Sequence, residues 1–361
     1  ALEQRLASLD SGAAALAVAS GTSAIFYAVA NIAEAGDEIV SSSHLYGGTF
    51  TMFNDILPRY GITTRFVDPL NLEEINAAIT DKTRAVFVET IGNPALSVPD
   101  FEAVAEVAHQ AGVPLIVDST FTTPYLVRPI EHGADIVVHS LTKWIGGHGT
   151  GIGGVVVDGG HFDWKSPRFR TLNEPEPSYH DIRFAHDLGD LSQVAYIVRM
   201  RVVPLRNLGA AISPDNAWMF LQGTETLALR MQRHSENALA VAEFLKKHPA
   251  VDWVSYPGLP DHPSHDNAAR YLTRGYGGMV VFGIKGGRDA GQRFIEKLTL
   301  FSHVANVGDA KSLAIHPSST THSQLSEEQQ RNAGLQPELI RLSIGLEHID
   351  DIRSDLDRAL T

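Results

Sequence analysis

Hydrophobic positions along the first 160 residues fall into two alternating textures. Short apolar or β-branched runs at 15–19, 38–41, 64–67, 85–89, 114–118, 135–139 and 154–157 predict strands. Stretches at 23–33, 49–60, 72–79 and 101–111 carry the i, i+3, i+4 spacing of helices. Strand–helix alternation of this kind predicts a mainly parallel sheet covered on both faces. Burial on both sides explains why runs such as Leu115-Ile-Val-Asp118 are apolar throughout rather than alternating.

The pattern weakens over 158–190, where Pro167, Pro175, Pro177 and scattered aromatics predict a loop-like segment. Helical texture returns from 191 to about 247. Strand-like runs at 251–255 and 279–282 then alternate with helical stretches at 290–298 and 349–360. The expected organisation is a large domain over 1–228 and a smaller C-terminal α/β domain over 229–361, joined near 223–231. At the N-terminus Leu2, Leu6 and Leu9 share a helical face with no capping residue before them. The expectation is a chain met partway through a helix, with a segment missing upstream.

Composition narrows the function classes. Formal net charge is −13, which repels phosphate backbones and disfavours nucleic-acid binding. No apolar run approaches the roughly 18 residues of a membrane helix. The chain has no cysteine, which removes disulfides, thiolate metal sites and cysteine nucleophiles. A disulfide-free chain of this type is expected in the cytoplasm.

Candidate chemistry sits at strand ends. Ser140-Leu-Thr-Lys143 directly follows the predicted strand at 135–139. A lysine there either snorkels to water or has a lowered pKa that makes it a nucleophile or Schiff-base partner. Asp118 closes another apolar strand, where open α/β sheets place ligands, although an Asp can equally cap the next turn. Together the two fit pyridoxal phosphate, which needs a lysine for its aldehyde and a carboxylate for its pyridine nitrogen. Ser20-Gly21-Thr22-Ser23, between a strand and a helix, could offer amides to a phosphate, as could an ordinary turn of the same composition. Tyr46, beside Gly47 and Gly48, could stack on a flat ring or lie in a surface turn.

Two motifs read as decoys. Residues 149–154 match GxGxxG but lead into a strand rather than a helix, so tight packing near the lysine is the better reading. Ser140 to Lys143 matches the SxxK of penicillin-recognising acyl-enzymes, yet SDN and KTG companions are absent. His262 with His265, and His316 with His322, read as hydrogen-bonding histidines rather than metal ligands, and no metal is expected.

Thr90-Ile-Gly-Asn93-Pro94, Asp118-Ser-Thr, Ser140-Leu-Thr-Lys143 and Arg341-Leu-Ser-Ile-Gly-Leu-Glu347 resemble the Cys/Met-metabolism family of pyridoxal-phosphate enzymes over essentially the whole chain. The resemblance implies an aspartate-aminotransferase-like (fold type I) architecture. Glu89-Thr-Ile-Gly-Asn93, residues 308–317 and the long 163–180 segment point to members that replace the acetate of O-acetyl-L-homoserine with sulfide, giving homocysteine for methionine synthesis.

Carried over, the resemblance implies that Lys143 is the Schiff-base lysine and Asp118 the partner of the ring nitrogen. Tyr46 stacks on the ring and assists proton transfer. Ser140, Thr142 and the Gly21 and Thr22 amides hold the phosphate, and Asn93 lies near the ring oxygen. Arg341, with its bidentate guanidinium, and Asn306 bind the substrate carboxylate. The resemblance further implies a homotetramer of dimers with shared active sites. A Tyr and an Arg that family members carry upstream cannot be assigned in this chain. Gly48 stands where the methionine-degrading lyase has a cysteine, which argues against that activity. Competing expectations are a γ-elimination lyase or cystathionine γ-synthase on the same fold, and a non-catalytic relative that binds or regulates.

Overall fold

The computed structural model describes residues 1–320 and 336–361. It divides into two compact units. The first comprises Ala1–Asn93, Pro99–Thr142 and Gly151–Gln222. The second comprises Pro94–Val98, Lys143–Thr150 and Gly223–Thr361.

The first unit is built on a seven-stranded sheet of β1 (Ala14–Val18), β2 (Glu38–Ser42), β3 (Thr63–Val67), β4 (Thr83–Glu89), β5 (Leu115–Asp118), β6 (Ile136–Ser140) and β7 (Gly154–Asp158). The order is β1-β7-β6-β5-β4-β2-β3. Only β7 runs against its neighbours, pairing antiparallel with both β1 and β6. All seven predicted strands are present, shifted at their ends by a residue or two. The chain opens with helix α1 (Leu2–Leu9), which buries Leu2, Leu6 and Ala7 and has no side-chain cap. Helix α2 (Gly21–Ala30) follows β1, and its N-cap Ser20 accepts the Ser23 amide at 3.0 Å.

Two helical stretches depart from the expectation. Residues 49–60 are not one helix. Helix α3 (Gly47–Thr51) passes into a π-turn at Met52–Ile56 and a 3-10 turn at Leu57–Tyr60. Pro58, which lacks an amide hydrogen, sits in the first turn of that last piece. The stretch from 191 breaks for the same reason. Pro204 lies inside a π-turn at Arg201–Leu205, and Gly209 stops the chain at φ +77°. Helices Pro214–Glu225 and Leu227–Lys247 follow. The proline-rich 158–190 segment is mostly turns, as expected, yet its aromatics form a core. Trp164 stacks on Tyr196 at 4.9 Å between centroids, with Phe169 edge-on at 5.2 Å from Trp164.

The second unit holds a five-stranded sheet ordered β10-β11-β12-β9-β8. Its strands are β8 (Val251–Ser255), β9 (Met279–Ile284), β10 (Ser302–His303), β11 (Leu313–Ile315) and β12 (Leu339–Ser343). Pairing is antiparallel except between β10 and β11. Leu227–Lys247, Gly287–Lys297 and Ile349–Leu360 supply helical faces to its core, with Val241, Phe282, Phe294 and Leu356 buried together. Among the described residues no helix is long and apolar enough to cross a membrane.

Candidate active site

In the first unit the carboxyl ends of the strands gather most of the predicted residues. At the start of α2 the Ser23 amide is taken by Ser20 Oγ and the Ala24 amide by the Ser20 carbonyl. The next two donors have no such outlet: among the described residues the Gly21 and Thr22 amides lack an acceptor. Gly21 is buried, so its amide cannot turn to water. Ser140, at the end of β6, stands directly against it. A β-carbon on Gly21 would lie 2.8 Å from Ser140 Oγ. The Ser140 side chain also has no partner among the described residues. Two orphan amides at a helix N-terminus with a hydroxyl beside them form an anion cradle.

The cradle depends on glycine elsewhere. Gly154 opens β7 between Val18 of β1 and Ser140 of β6. A β-carbon there would sit 2.2 Å from the Ser20 carbonyl oxygen and 2.8 Å from the Gly21 nitrogen. Gly153 faces Phe220 with similar intimacy, at 2.4 Å. The GxGxxG match is therefore a packing motif, as its context suggested. Thr142 is committed differently from Ser140: its hydroxyl accepts the Gly153 amide at 3.1 Å and donates to the Gly153 carbonyl at 3.3 Å.

Asp118 and Glu89 end adjacent parallel strands as register partners, and both are buried. Burial pushes Glu89 well above the usual carboxylate range, and the charge of Asp118 pushes it further; the Tyr46 amide, donating to Glu89 Oε1 at 2.7 Å, opposes this only in part. Burial also raises Asp118, but the Thr120 hydroxyl and amide pull it back, as does the charge of His139. Glu89 is thus the member of the pair pushed further toward protonation. No arginine or lysine of its own unit pairs with Asp118. A buried carboxylate in that position is suited to a cationic ligand. Thr120 Oγ1 also accepts the Ser140 amide at 2.8 Å, linking the carboxylate to the cradle.

Tyr46 is the N-cap of α3 and half exposed, with its ring over Gly48. A β-carbon on Gly48 would approach Tyr46 Cε1 to 2.6 Å. Asn93 is buried four residues beyond β4.

In the second unit Lys143 is half-buried, and its ammonium donates to Asn306 Oδ1. Burial lowers the lysine pKa, and the positive charge of Arg341 on β12 lowers it further. Asn306 and Arg341, predicted from distant stretches of chain, therefore both act on Lys143. The backbone after Lys143 is clamped by Arg230, which was not anticipated. Its guanidinium donates to the carbonyls of Trp144 at 2.6 Å, Ile145 at 3.0 Å and Gly223 at 2.6 Å. Among the described residues it has no carboxylate partner, and burial brings it down to about 10. The Arg341 motif ties neighbouring loops together. Ser343 Oγ accepts the Gly308 amide at 3.0 Å, and Glu347 accepts the Ser312 amide and hydroxyl at 2.7 and 2.9 Å. The histidines set aside as metal ligands bind backbone instead: His265 Nδ1 lies 3.0 Å from the Pro257 carbonyl and His316 Nε2 2.7 Å from the Pro337 carbonyl. His322 lies outside the described residues.

An anion cradle, a buried carboxylate short of a cation, and an amine whose charge is disfavoured are what pyridoxal phosphate asks of a protein. The residues present fit that group. The chain belongs to the Cys/Met metabolism PLP-dependent enzyme family, whose model matches residues 1–361. It is 55% identical to the homocysteine synthase of Schizosaccharomyces pombe, over 99% of this chain and 83% of that one. It is 54% identical to the O-acetyl-L-homoserine sulfhydrylase of Leptospira meyeri, with the same shares covered. Among solved structures, a chain from Campylobacter jejuni assigned as an O-acetylhomoserine (thiol)-lyase is 40% identical, with a TM-score of 0.94 over 99% of this chain and 85% of that one. That structure contains N'-pyridoxyl-lysine-5'-monophosphate.

Proposed function

We propose that this chain is an O-acetyl-L-homoserine sulfhydrylase: it replaces the acetate of O-acetyl-L-homoserine with sulfide, giving L-homocysteine and acetate. The observation that carries the reading is the 54% identity, over nearly the whole chain, to a relative bearing that activity in its name. Its residues support the chemistry step by step. Lys143 would hold the cofactor's aldehyde carbon. Asp118 would pair with the ring nitrogen, Tyr46 would stack on the ring, and Asn93 would lie near its oxygen. The Gly21 and Thr22 amides with Ser140 would take the phosphate. Thr142 would join them only by turning its proton away from Gly153. Domains at 1–228 and 229–361 would carry cofactor and small-domain roles respectively.

Pyridoxal phosphate, when bound, supplies an electron sink that no side chain offers. The chain's own part is acid–base work and positioning. Arg341 and Asn306 would hold the substrate carboxylate, fixing which hydrogen faces the lysine. Lys143, whose neighbourhood disfavours its charge, is poised to accept the α-proton at Nζ, then a β-proton, and to return both. Loss of acetate from the γ-carbon and addition of sulfide there complete the exchange. Tyr46, half exposed beside its glycines, would shuttle a proton.

We also propose a cytoplasmic homotetramer of dimers. Exposed apolar side chains of the first unit, including Phe50, Tyr60 and Leu208, support an assembling surface. Light scattering on the purified holoenzyme tests it.

The reaction is tested by loading purified protein with pyridoxal phosphate and supplying O-acetyl-L-homoserine with and without sulfide. Homocysteine appearing only with sulfide is expected. Ammonia and a keto acid without sulfide would make it an eliminating lyase, and cystathionine formed from cysteine would make it a γ-synthase. Lys143→Ala should lose turnover by at least roughly a thousandfold and lose the bound-cofactor absorbance. Normal turnover in that variant removes the lysine from the mechanism.

A further inference from the structure

A second buried charge pair lies behind Asp118, made of residues to which no role has been given. Asp10 ends α1, and His139 lies on β6 one residue after Val138, the register partner of Asp118. Both are 0% exposed. His139 Nε2 is 2.8 Å from Asp10 Oδ2, and His139 Nδ1 is 3.1 Å from the Ser119 carbonyl oxygen. A carbonyl can only accept, so Nδ1 carries a hydrogen. A carboxylate accepts as well, so Nε2 carries one too. With Asp10 ionised and both nitrogens donating, the ring would be an imidazolium, sealed from water in the first unit. Burial alone would lower its pKa, but the charge and hydrogen bond of Asp10, the charge of Asp118 and the Ser119 carbonyl together leave it raised.

That charge has one neighbour with a task. Asp118 is pressed toward protonation by burial, with Glu89 beside it. A protonated Asp118 could not pair with a protonated ring nitrogen. The imidazolium opposes that loss. Asp10 in turn compensates the imidazolium, which would otherwise be an unpaired buried charge. The order Asp10, His139, Asp118 alternates negative, positive, negative, and a ring cation completes it.

We infer that Asp10 and His139 are positioning residues: a buried imidazolium–carboxylate pair that keeps Asp118 ionised and oriented for the cofactor's ring nitrogen. This rests on the reading of Asp118 given above. The only alternative on the same geometry places the proton on Asp10, donating to a neutral ring, and it predicts a different spectrum.

Two measurements decide the matter. In the 15N-histidine-labelled holoenzyme near neutral pH, both His139 nitrogens should appear protonated; an unprotonated Nε2 overturns the inference without any variant. Separately, Asp10→Asn and His139→Gln should weaken pyridoxal phosphate binding by roughly ten- to a hundredfold, as expected for a neighbouring carboxylate moved by one to two pKa values. Binding is read by absorbance titration of protein whose melting shows it folded. In an Asp118→Asn background both effects should vanish. Parent-like binding in the single variants, or an equal loss in the Asp118→Asn background, overturns the inference and leaves the reading of Asp118 standing. Parent-like binding by Asp118→Asn alone overturns both.

Discussion

Glu89 and Asp118 are register partners at the carboxyl ends of two adjacent buried parallel strands, and burial raises both carboxyls, Glu89 the further of the two. The difference follows from what each touches. Glu89 receives one backbone amide, that of Tyr46. Asp118 receives the Thr120 amide and feels the charge of His139.

Glu89→Gln keeps an acceptor for the Tyr46 amide and removes a charge that burial and Asp118 already disfavour. Its stability and cofactor affinity at neutral pH should match the parent. Glu89→Leu leaves the amide unpaired and should cost about 1–3 kcal/mol in urea unfolding, with weaker activity as Tyr46 loses its anchor. Equal behaviour of the two variants would show that the carboxyl does not hold Tyr46.

Gly154→Ala places a methyl group 2.2 Å from the Ser20 carbonyl. Backbone atoms on both sides leave little room to give. The variant should lose about 1–3 kcal/mol of stability, and its affinity for pyridoxal phosphate should fall further than its melting temperature implies. Inorganic phosphate should protect it from thermal unfolding less than it protects the parent.

Arg230→Lys retains a positive charge but cannot reach three carbonyls with one planar fork. Loss of the clamp on the backbone after Lys143 should cost about 2–4 kcal/mol and lower kcat more than it raises KM. A variant with parent-like kcat would show that this backbone holds itself.

Asp158 gives a pH signature. Burial raises its carboxyl from 3.8 to about 7, and its Oδ2 has no hydrogen-bond partner among the described residues. A raised folded-state value for an acid means that the native state keeps a proton the unfolded chain has released. Stability therefore falls as pH rises from about 4 through about 7, by at most roughly 4 kcal/mol. Asp158→Asn keeps the acceptor for the Gly160 amide and removes the proton. It should match the parent at pH near 4 and exceed it at pH near 8 in thermal or urea unfolding. An identical pH slope in both proteins would place the native proton elsewhere.

Much of the first unit was legible because its strands are apolar through their whole length, which is the signature of burial on both faces. Lys143 and Asp118 stood out against that background as charged groups at or just past apolar strand ends. The small unit was harder. β10 is two exposed residues, Ser302 and His303, with no pattern to read, and β12 carries Arg341 at its centre. Helix breaks at Pro58 and Pro204 had a visible cause that the surrounding spacing masked. Asp10 and Arg230 were silent for another reason. Asp10, beside Ser11 and Gly12, looks like any residue ending a helix, and its partner is 129 positions away. Arg230 lies on a long helix with other charges, and nothing in its spacing reveals that its targets are carbonyls 85 and 86 residues upstream.

The reversed strand β7 has a consequence for the growing polypeptide. Among the described residues β1 pairs with no other strand, so the turn that follows it stays without its neighbour until the stretch through Asp158 has been translated and threaded between β1 and β6. A ribosome-bound fragment ending before that point carries α2 and Ser140 but not the strand that sets them side by side. Capture of the vitamin-derived group must then wait until Asp158 has left the exit tunnel.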